Sequence, residues 1–391
     1  MPGKTKAGFS KNDGASQFTT LKIRLYPSPE QAELFEKTFG CCRYIWNRML
    51  ADQQRFYLET GTHFIPTPAK YKNGSPFLRE VDNQALIQEH NKLQQAFRAF
   101  FKAPESFGHP RFKRKKDGRN SFTACNHAFA SGPTIYTTRN SIRMTKAGIV
   151  RAKFHRRPQA WWTLKRVTVE KTRTGKYYAS ILYEYPAMEL KPVFPTAKTT
   201  VGLKYSISHF YVSDDGSAVD PPHWLKQSQD QLGRIQQKLN RMRPASKNYQ
   251  EAVQKFRLLH EHIAYQRRDF IHKESRRIAN AWDAVCVRAD DLTELNRKLI
   301  QTNLYGSGFG TFRKCLCYKL ERQGKPLISV DRYYPSTRTC SACGAVRDAV
   351  QHKERFWHCP KCGAVQDRDT NAAKNIKAQG LAQYFKNRQS A

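Results

Sequence analysis

Two cysteine pairs, Cys340-x-x-Cys343 and, fifteen residues further on, Cys359-x-x-Cys362, constrain this chain more tightly than any other feature. Each pair bends the backbone into a knuckle, and four converging thiolates make a closed tetrahedral site suited to Zn²⁺. Gly344 and Gly363 follow the two pairs and permit the tight turns such knuckles need. Four protein ligands leave no open coordination position, so the expected zinc is structural and stabilises a hairpin that otherwise lacks a core. The remaining six cysteines, with Cys41 and Cys42 adjacent, suit no disulfide framework and read as reduced thiols of a cytoplasmic protein.

Charge sets the second constraint. Lys plus Arg exceeds Asp plus Glu by 68 − 32 = 36 over 391 residues, a surface that repels itself unless a polyanion neutralises it. A nucleic acid is the expected partner. Apolar residues at 39 % and aromatics at 12 % place that charge on folded domains rather than on a disordered tail. No apolar run approaches the roughly 18 residues needed to span a bilayer, and the first seventeen residues lack the apolar stretch of a signal peptide. Neither a membrane nor a small-molecule substrate is expected.

Residues 1–17 are expected to be a polar, basic, flexible tail. Thr20–Tyr26 alternates Leu21, Ile23 and Leu25 with Lys22 and Arg24, the period of a half-buried strand with a cationic outer face. Ser28-Pro29-Glu30-Gln31 is a capping box, and the stripe Phe35, Phe39, Cys42, Trp46, Met49 predicts a helix with one core face. A second helix is predicted over Asn83–Lys102, with Leu86, Ile87, His90, Leu93, Phe97 and Phe101 inward and His90 a hydrogen-bonded core histidine. Short alternating segments across 121–187, among them Arg166–Glu170 and Tyr177–Leu182, predict a small β-barrel or sandwich.

Two basic clusters punctuate this half. Arg111, Lys113, Arg114, Lys115, Lys116 and Arg119 surround Phe112, and Lys153, Arg156, Arg157, Lys165 and Arg166 surround Trp161 and Trp162. Cations interleaved with aromatics suit phosphate contact plus stacking, and solvated charges over two core tryptophans are the equally weighted alternative for any one residue.

Pro192–Thr199 marks a linker, after which the pattern becomes a longer α/β alternation. A strand is predicted over Thr200–Val212, then a polar hairpin turn at Ser213–Gly216, two helices packed as an antiparallel pair around a break at Pro244, a buried strand at Ala284–Val287, a helix at Thr311–Arg322 and a strand at Pro326–Val330. Asp367-Arg-Asp369-Thr-Asn371-Ala-Ala-Lys-Asn375-Ile376 opens a last helix whose small residues can pack closely.

The order of these parts resembles the transposon-encoded TnpB family, relatives of the type V CRISPR effectors. The strand opening Val201-Gly-Leu-Lys204, the strand Val285-Cys-Val-Arg288, the cysteine knuckles, the Asp369-x-Asn-Ala-Ala ending, Leu21–Leu50 and His109–Lys113 carry the resemblance, which covers nearly the whole chain. It implies an α+β multidomain protein: an N-terminal wedge β-barrel over 18–195 with a helical recognition insertion at about 28–104, an RNase H-like (RuvC) α/β domain over 196–336 and 367–391, and a zinc ribbon at 337–366. It also implies a guide RNA, a double-stranded DNA target with a short adjacent motif, and a prokaryotic, nucleoid-associated location.

In such nucleases three carboxylates hold two Mg²⁺ ions. Matched onto this chain, the first position is Lys204, the second Arg288, and only the third, Asp369, keeps its carboxylate. Three carboxylates sum to about −3 where these side chains sum to +1. The chain is thus similar to nuclease-dead TnpB-like repressors, with no catalytic Mg²⁺ expected. Two rivals stand beside it: a Mg²⁺-dependent endonuclease with substitute carboxylates from Asp214, Asp215, Asp290 or Asp291, and a guide-independent zinc-ribbon protein accessory to transposition.

Overall fold

The computed structural model describes residues 16–118, 120–130, 132–187, 190–206, 209–220, 222–244, 246–289, 308–348 and 354–389. The chain gathers into two compact units that divide near residue 188. The Pro192–Thr199 segment falls in the second unit, where the Val193 amide donates to the Gly324 carbonyl at 3.0 Å.

The first unit pairs a curled antiparallel sheet with two helices. Its strands are β1 (Ser16–Tyr26), β2 (Asn120–Cys125), β3 (Ala128–Phe129), β4 (Gly132–Pro133), β5 (Tyr136–Thr137), β6 (Ser141–Met144), β7 (Gly148–Lys153), β8 (Thr163–Lys171) and β9 (Tyr177–Pro186). Seven of them run in the order β2-β8-β9-β1-β7-β6-β5, and β3 with β4 forms a separate ribbon. Ser16 and Gln17, expected in the tail, open β1 by pairing with Pro186 and Tyr185; the rest of the tail lies outside the described residues. Phe122 and Ala124 from the β2 end share one buried cluster with Ile142 and Met144 from the opposite end, so the sheet coils round a common core. Among the described residues no ladder joins β2 to β5.

Helix α1 (Pro29–Thr60) begins at the expected capping box: the Gln31 amide donates to Ser28 Oγ at 3.3 Å and the Ser28 amide to Gln31 Oε1 at 3.0 Å. Its apolar face divides between two cores. Phe35, Phe39 and Cys42 pack on the sheet, while Cys41, Ile45, Trp46, Met49 and Leu50 pack with Leu86, Leu93 and Phe97 of α2 (Asn83–Lys102). Adjacent Cys41 and Cys42 therefore face different interiors, and burial pushes the Cys42 thiol up. Phe101, expected inward, is 57 % exposed. It lies in the last turn of α2, one turn beyond the Phe97 contact, with its ring edge-on to His63.

The second unit is a layered α/β structure. β10 (Thr200–Tyr205), β11 (Tyr211–Ser213), β12 (Ala218–Val219), β13 (Ala284–Arg288) and β14 (Leu327–Val330) form one sheet in the order β12-β11-β10-β13-β14. The predicted strand over Thr200–Val212 is two antiparallel strands, with Leu203 paired to Ser213. The chain has to reverse there so that β11 can pair antiparallel with β10, between it and β12. The Ser213–Gly216 turn then leads into β12, with Gly216 at φ 88°. β10, β13 and β14 are parallel, and β13 is the continuous apolar run of a strand covered on both faces.

α3 (His223–Asn240) and α4 (Lys247–Ala281) flank Pro244 and pack together. Ile271 and Ile278 of α4 join Phe309, Phe312 and Leu316 of α5 (Phe309–Glu321) against Val201, Leu203, Val285 and Val287 on one face of the sheet. The opposite face, with Ala284, Cys286, Ile328 and Val330, receives Ile376 of α6 (Arg368–Gln389).

Two glycines set how closely α6 approaches that face. A Cβ on Gly202 would lie 2.2 Å from the Ala373 carbonyl oxygen, and one on Gly380 would lie 2.6 Å from Cys286 Sγ. Replacing either with alanine should destabilise the second unit by about 1–3 kcal/mol through overpacking, read as a lower urea midpoint with faster amide exchange in β10 and α6. Gly233→Ala, at an exposed helical position with nothing within 4 Å, is the expected stabilising control.

Candidate functional site

Side-chain alternation fixes which face each residue of β10 and β13 takes. Val201, Leu203, Val285 and Val287 face α4 and α5, whereas Gly202 and Cys286 touch α6. Lys204 and Arg288, each two residues further on, therefore project on the α6 face. The parallel register pairs Leu203 with Val287, which places Lys204 beside Arg288 at the ends of neighbouring strands. Both side chains are partly buried.

Asp369 comes to the same end from α6, in its first turn. Ser206, two residues beyond Lys204 and on the same face, donates its hydroxyl to Asp369 Oδ2 at 2.9 Å, and Arg368 Nε lies 3.6 Å from Oδ1. The fold thus brings the three matched positions to one end of the sheet. Asp367, the other acid of that run, caps α6: the Thr370 amide donates to its Oδ1 at 2.9 Å. Burial works against its charge, but the Thr370 donors and Arg355 outweigh it and hold the carboxyl below its ordinary value.

Of the substitute carboxylates, Asp214 is engaged elsewhere. Its Oδ1 accepts from the Gly202 amide at 2.9 Å and its Oδ2 from Lys377 Nζ at 2.7 Å. Asp215 accepts from the Ser217 hydroxyl and, at 2.8 Å, from the Ser217 amide at the hairpin turn, and both bonds lower its pKa. Asp290 and Asp291 lie outside the described residues. Cys286, under α6, is pushed up to about 12 by burial.

The four knuckle cysteines converge, with all their ligand atoms within 4.8 Å of one another. Sγ–Sγ distances of 3.8 Å for Cys340–Cys362 and 3.6 Å for Cys343–Cys359 fit the roughly 3.8 Å edge of a tetrahedron with 2.3 Å Zn–S bonds. The two knuckles repeat one geometry. Gly344 and Gly363 take φ 75° and 70°, and their amides donate to the Cys340 and Cys359 carbonyls, each at 2.8 Å. This donor set can hold zinc. β15 (Phe356–His358) pairs with β16 (Val365–Asp367) to carry the second knuckle, with Trp357 buried beneath.

Asn371 and Asn375 have a role that their place in the motif did not disclose. Asn375 Nδ2 donates to the Thr339 and Ser336 carbonyls at 2.6 and 2.8 Å; Asn371 Nδ2 donates to Thr339 at 2.8 Å, and its Oδ1 accepts from the Ser341 amide. Both asparagines are buried. They fasten α6 to the chain entering the first knuckle, so the acidic site and the cysteine cluster share a support.

Several basic residues of the first unit, exposed Lys22 and Lys165 among them, are engaged by neighbouring side chains. Lys22 ion-pairs with Glu170, and Lys165 with Glu184 at 2.9 Å. Arg24 donates to Tyr178 Oη at 3.3 Å. Lys113 ion-pairs with buried Glu89 over the Trp46 ring, which gives it a structural partner. Arg111, Arg114, Lys115, Lys116, Lys153, Arg157 and Arg166 are exposed, and Arg119 lies outside the described residues. The tryptophans differ. Trp161 is 49 % exposed, its ring edge-on to Trp162 and Tyr185. Trp162 packs against the sheet core, stacked on Tyr185 with Arg156 over its ring.

Comparison with known proteins agrees with this layout. Residues 19–62 match the helix-turn-helix domain of the IS605 OrfB proteins, 180–295 the OrfB family described as "Probable transposase", and 309–376 the Cas12f1-like TNB domain. Over 19–62 the structure is the strand β1 and the single helix α1. A Streptomyces pristinaespiralis protein named "Putative RNA-guided DNA endonuclease" is 31 % identical, covering 93 % of this chain and 89 % of its own. The Escherichia coli K12 protein "Putative RNA-guided DNA endonuclease InsQ" is 27 % identical over 93 % of this chain and 92 % of its own. The fold is that of the chain in the cryo-EM structure of a Cas12f1–sgRNA–target DNA complex, at TM-score 0.61 and 12 % identity, covering 94 % of this chain and 99 % of that one. The chain belongs to the TnpB (IS605 OrfB) family, related to the Cas12 effectors. Among the described residues no helix is long and apolar enough to cross a membrane.

Asn375→Ala removes one of the two asparagine donors from the Thr339 and Ser336 carbonyls, which Asn371 still serves, and should cost about 0.5–1.5 kcal/mol. The expected consequence is faster release of zinc to a chelator at unchanged stoichiometry, followed by a colorimetric zinc assay. Cys359→Ser should lower the stoichiometry itself.

Proposed function

We propose that this protein is an RNA-guided, sequence-specific DNA-binding protein without nuclease activity, which represses transcription by occupying its target. The observation that carries this reading is the side-by-side placement of Lys204 and Arg288 on the face where Asp369 is presented. A two-metal nuclease needs carboxylates there to stabilise the attacking and leaving oxygens of the phosphodiester. At about 4 Å and an effective dielectric near 20, each cation opposes a bound metal charge by on the order of 4 kcal/mol per unit charge. The fixed engagement of Asp214 with Gly202 and Lys377 argues against the rearranged nuclease.

Loss of metal chemistry leaves binding intact in this account. Affinity for nucleic acid comes largely from counterion release by Lys and Arg, and the +36 charge is carried by the chain as a whole. The relatives' names supply RNA guidance and DNA as the partners. By that likeness the guide pairs with the target strand, and the protein holds the heteroduplex and reads a short adjacent motif. Exposed Arg111, Arg114, Lys115, Lys116, Lys153, Arg157 and Arg166, with Trp161 for stacking, are the proposed contacts. The zinc is structural, since its four ligands complete the tetrahedron.

Sequencing the co-purifying RNA should yield one recurring scaffold with a variable end that names the DNA address; a heterogeneous pool would favour the guide-independent accessory. Loaded with that RNA, the protein should retard a matched duplex and lower transcription from a matched promoter, while leaving a matched plasmid supercoiled in Mg²⁺. Any guide-dependent nick overturns the inactive reading. Lys204→Asp combined with Arg288→Glu should restore Mg²⁺ binding, measured by calorimetry.

A further inference from the structure

The basic loop from Pro110 to Asp117 is held almost entirely through its backbone. Trp46 Nε1 donates to the Arg111 carbonyl at 2.9 Å. Asn47 grips Lys113 twice: its Nδ2 donates to the Lys113 carbonyl at 3.0 Å and its Oδ1 accepts from the Lys113 amide at 2.8 Å. Asp117 Oδ2 accepts from the Arg114 amide at 3.2 Å, and Gly118 closes the turn at φ 67°.

One side chain of the loop is anchored as well. Lys113 ion-pairs with Glu89, which is 0 % exposed and also pairs with Lys92 at 2.7 Å, and the ammonium stands 3.8 Å from the Trp46 ring centroid. A carboxylate buried like Glu89 is costly unless paired, so this contact fixes one cation of the run inward. The neighbouring side chains of Arg111, Phe112 and Arg114 are thereby directed outward. With Pro110 and Asp117 they line an open cleft of about 470 Å³, within the ~300–1,000 Å³ range of small-ligand sites.

We propose that this cleft is a nucleotide subsite. The base of one unpaired nucleotide stacks on Phe112, whose ring is 46 % exposed, and its flanking phosphates meet Arg111 and Arg114. An exposed ring can stack only on a base whose face is free, so the occupant is a single-stranded segment rather than a duplex. Trp46, Asn47 and the Glu89–Lys113 pair are positioning residues: they touch no ligand and hold the loop in its binding shape, reducing the ordering cost of association. The proposal rests on the nucleic-acid-binding reading above and adds to it a place and a device.

The test uses the full-length protein freed of co-purifying nucleic acid, titrated by fluorescence anisotropy with short labelled RNA and DNA strands of one sequence over a range of salt. Phe112→Ala should weaken binding roughly 5- to 100-fold with the salt slope unchanged. Arg114→Gln should lower that slope by about 0.7. Asn47→Ala should weaken binding although it contacts no strand, and adding Phe112→Ala to it should cost far less than in the parent, a non-additivity that a purely structural role would not produce. A loss confined to RNA assigns the cleft to the guide, and one confined to DNA assigns it to a single-stranded part of the target. If Phe112→Ala and Arg114→Gln, both at exposed positions, bind like the parent, the subsite is refuted while nucleic-acid binding stands. If the parent binds neither strand, the broader reading fails first.

Discussion

The close seating of α6 on the sheet is the contact on which the second unit depends. Gly202 admits the Ala373 carbonyl and Gly380 admits Cys286, so the helix lies nearer the strands than side chains at those points would permit. Three consequences follow from that one approach. Asp369 reaches Ser206 at the end of β10, Lys377 reaches Asp214, and Asn371 with Asn375 ties down the chain entering the cysteine knuckles. Interiors packed to crystal density transmit such constraints because no slack remains to absorb them.

Shared support explains how a site could change chemistry while the fold persists. In the proposed reading the acidic pocket is replaced by cations at the ends of β10 and β13. Those positions are only partly buried and contribute little to the packed layers, which rest on Val201, Leu203, Val285 and Val287 on one face and Cys286 on the other. In that reading the grip on nucleic acid belongs to other residues, many on the first unit, where counterion release acts without regard to metal geometry. On the proposed reading hydrolysis and binding draw on different side chains, so loss of one need not erode the other.

Much of the architecture was legible beforehand. The capping box at Ser28, the stripe on α1, the limits of α2, the break at Pro244 and the buried run of β13 all follow from local periodicity and turn chemistry. The failures share a cause. Thr200–Val212 reads as one strand because apolar and aromatic residues continue past the reversal, and only pairing between Leu203 and Ser213 reveals two. Phe101 keeps the helical period of α2 yet finds no core to enter. The ion pair of Lys113 with buried Glu89, distant in sequence, is likewise invisible in the local pattern.

By itself the sequence determined the chemistry available: a zinc-binding donor set, an excess of positive charge, and cations at two positions matched to carboxylates. The first two are properties of residue type and short-range spacing, and the match to carboxylates is what the family resemblance implies. Only the tertiary structure decided which groups act together, bringing Lys204, Arg288 and Asp369 to one end of a sheet, turning Trp161 outward and Trp162 inward, and spending Asn47 on the backbone of a loop 66 residues away. The reason is physical: burial and pairing between distant segments depend on closing long stretches of chain, and local sequence carries no record of where that closure ends.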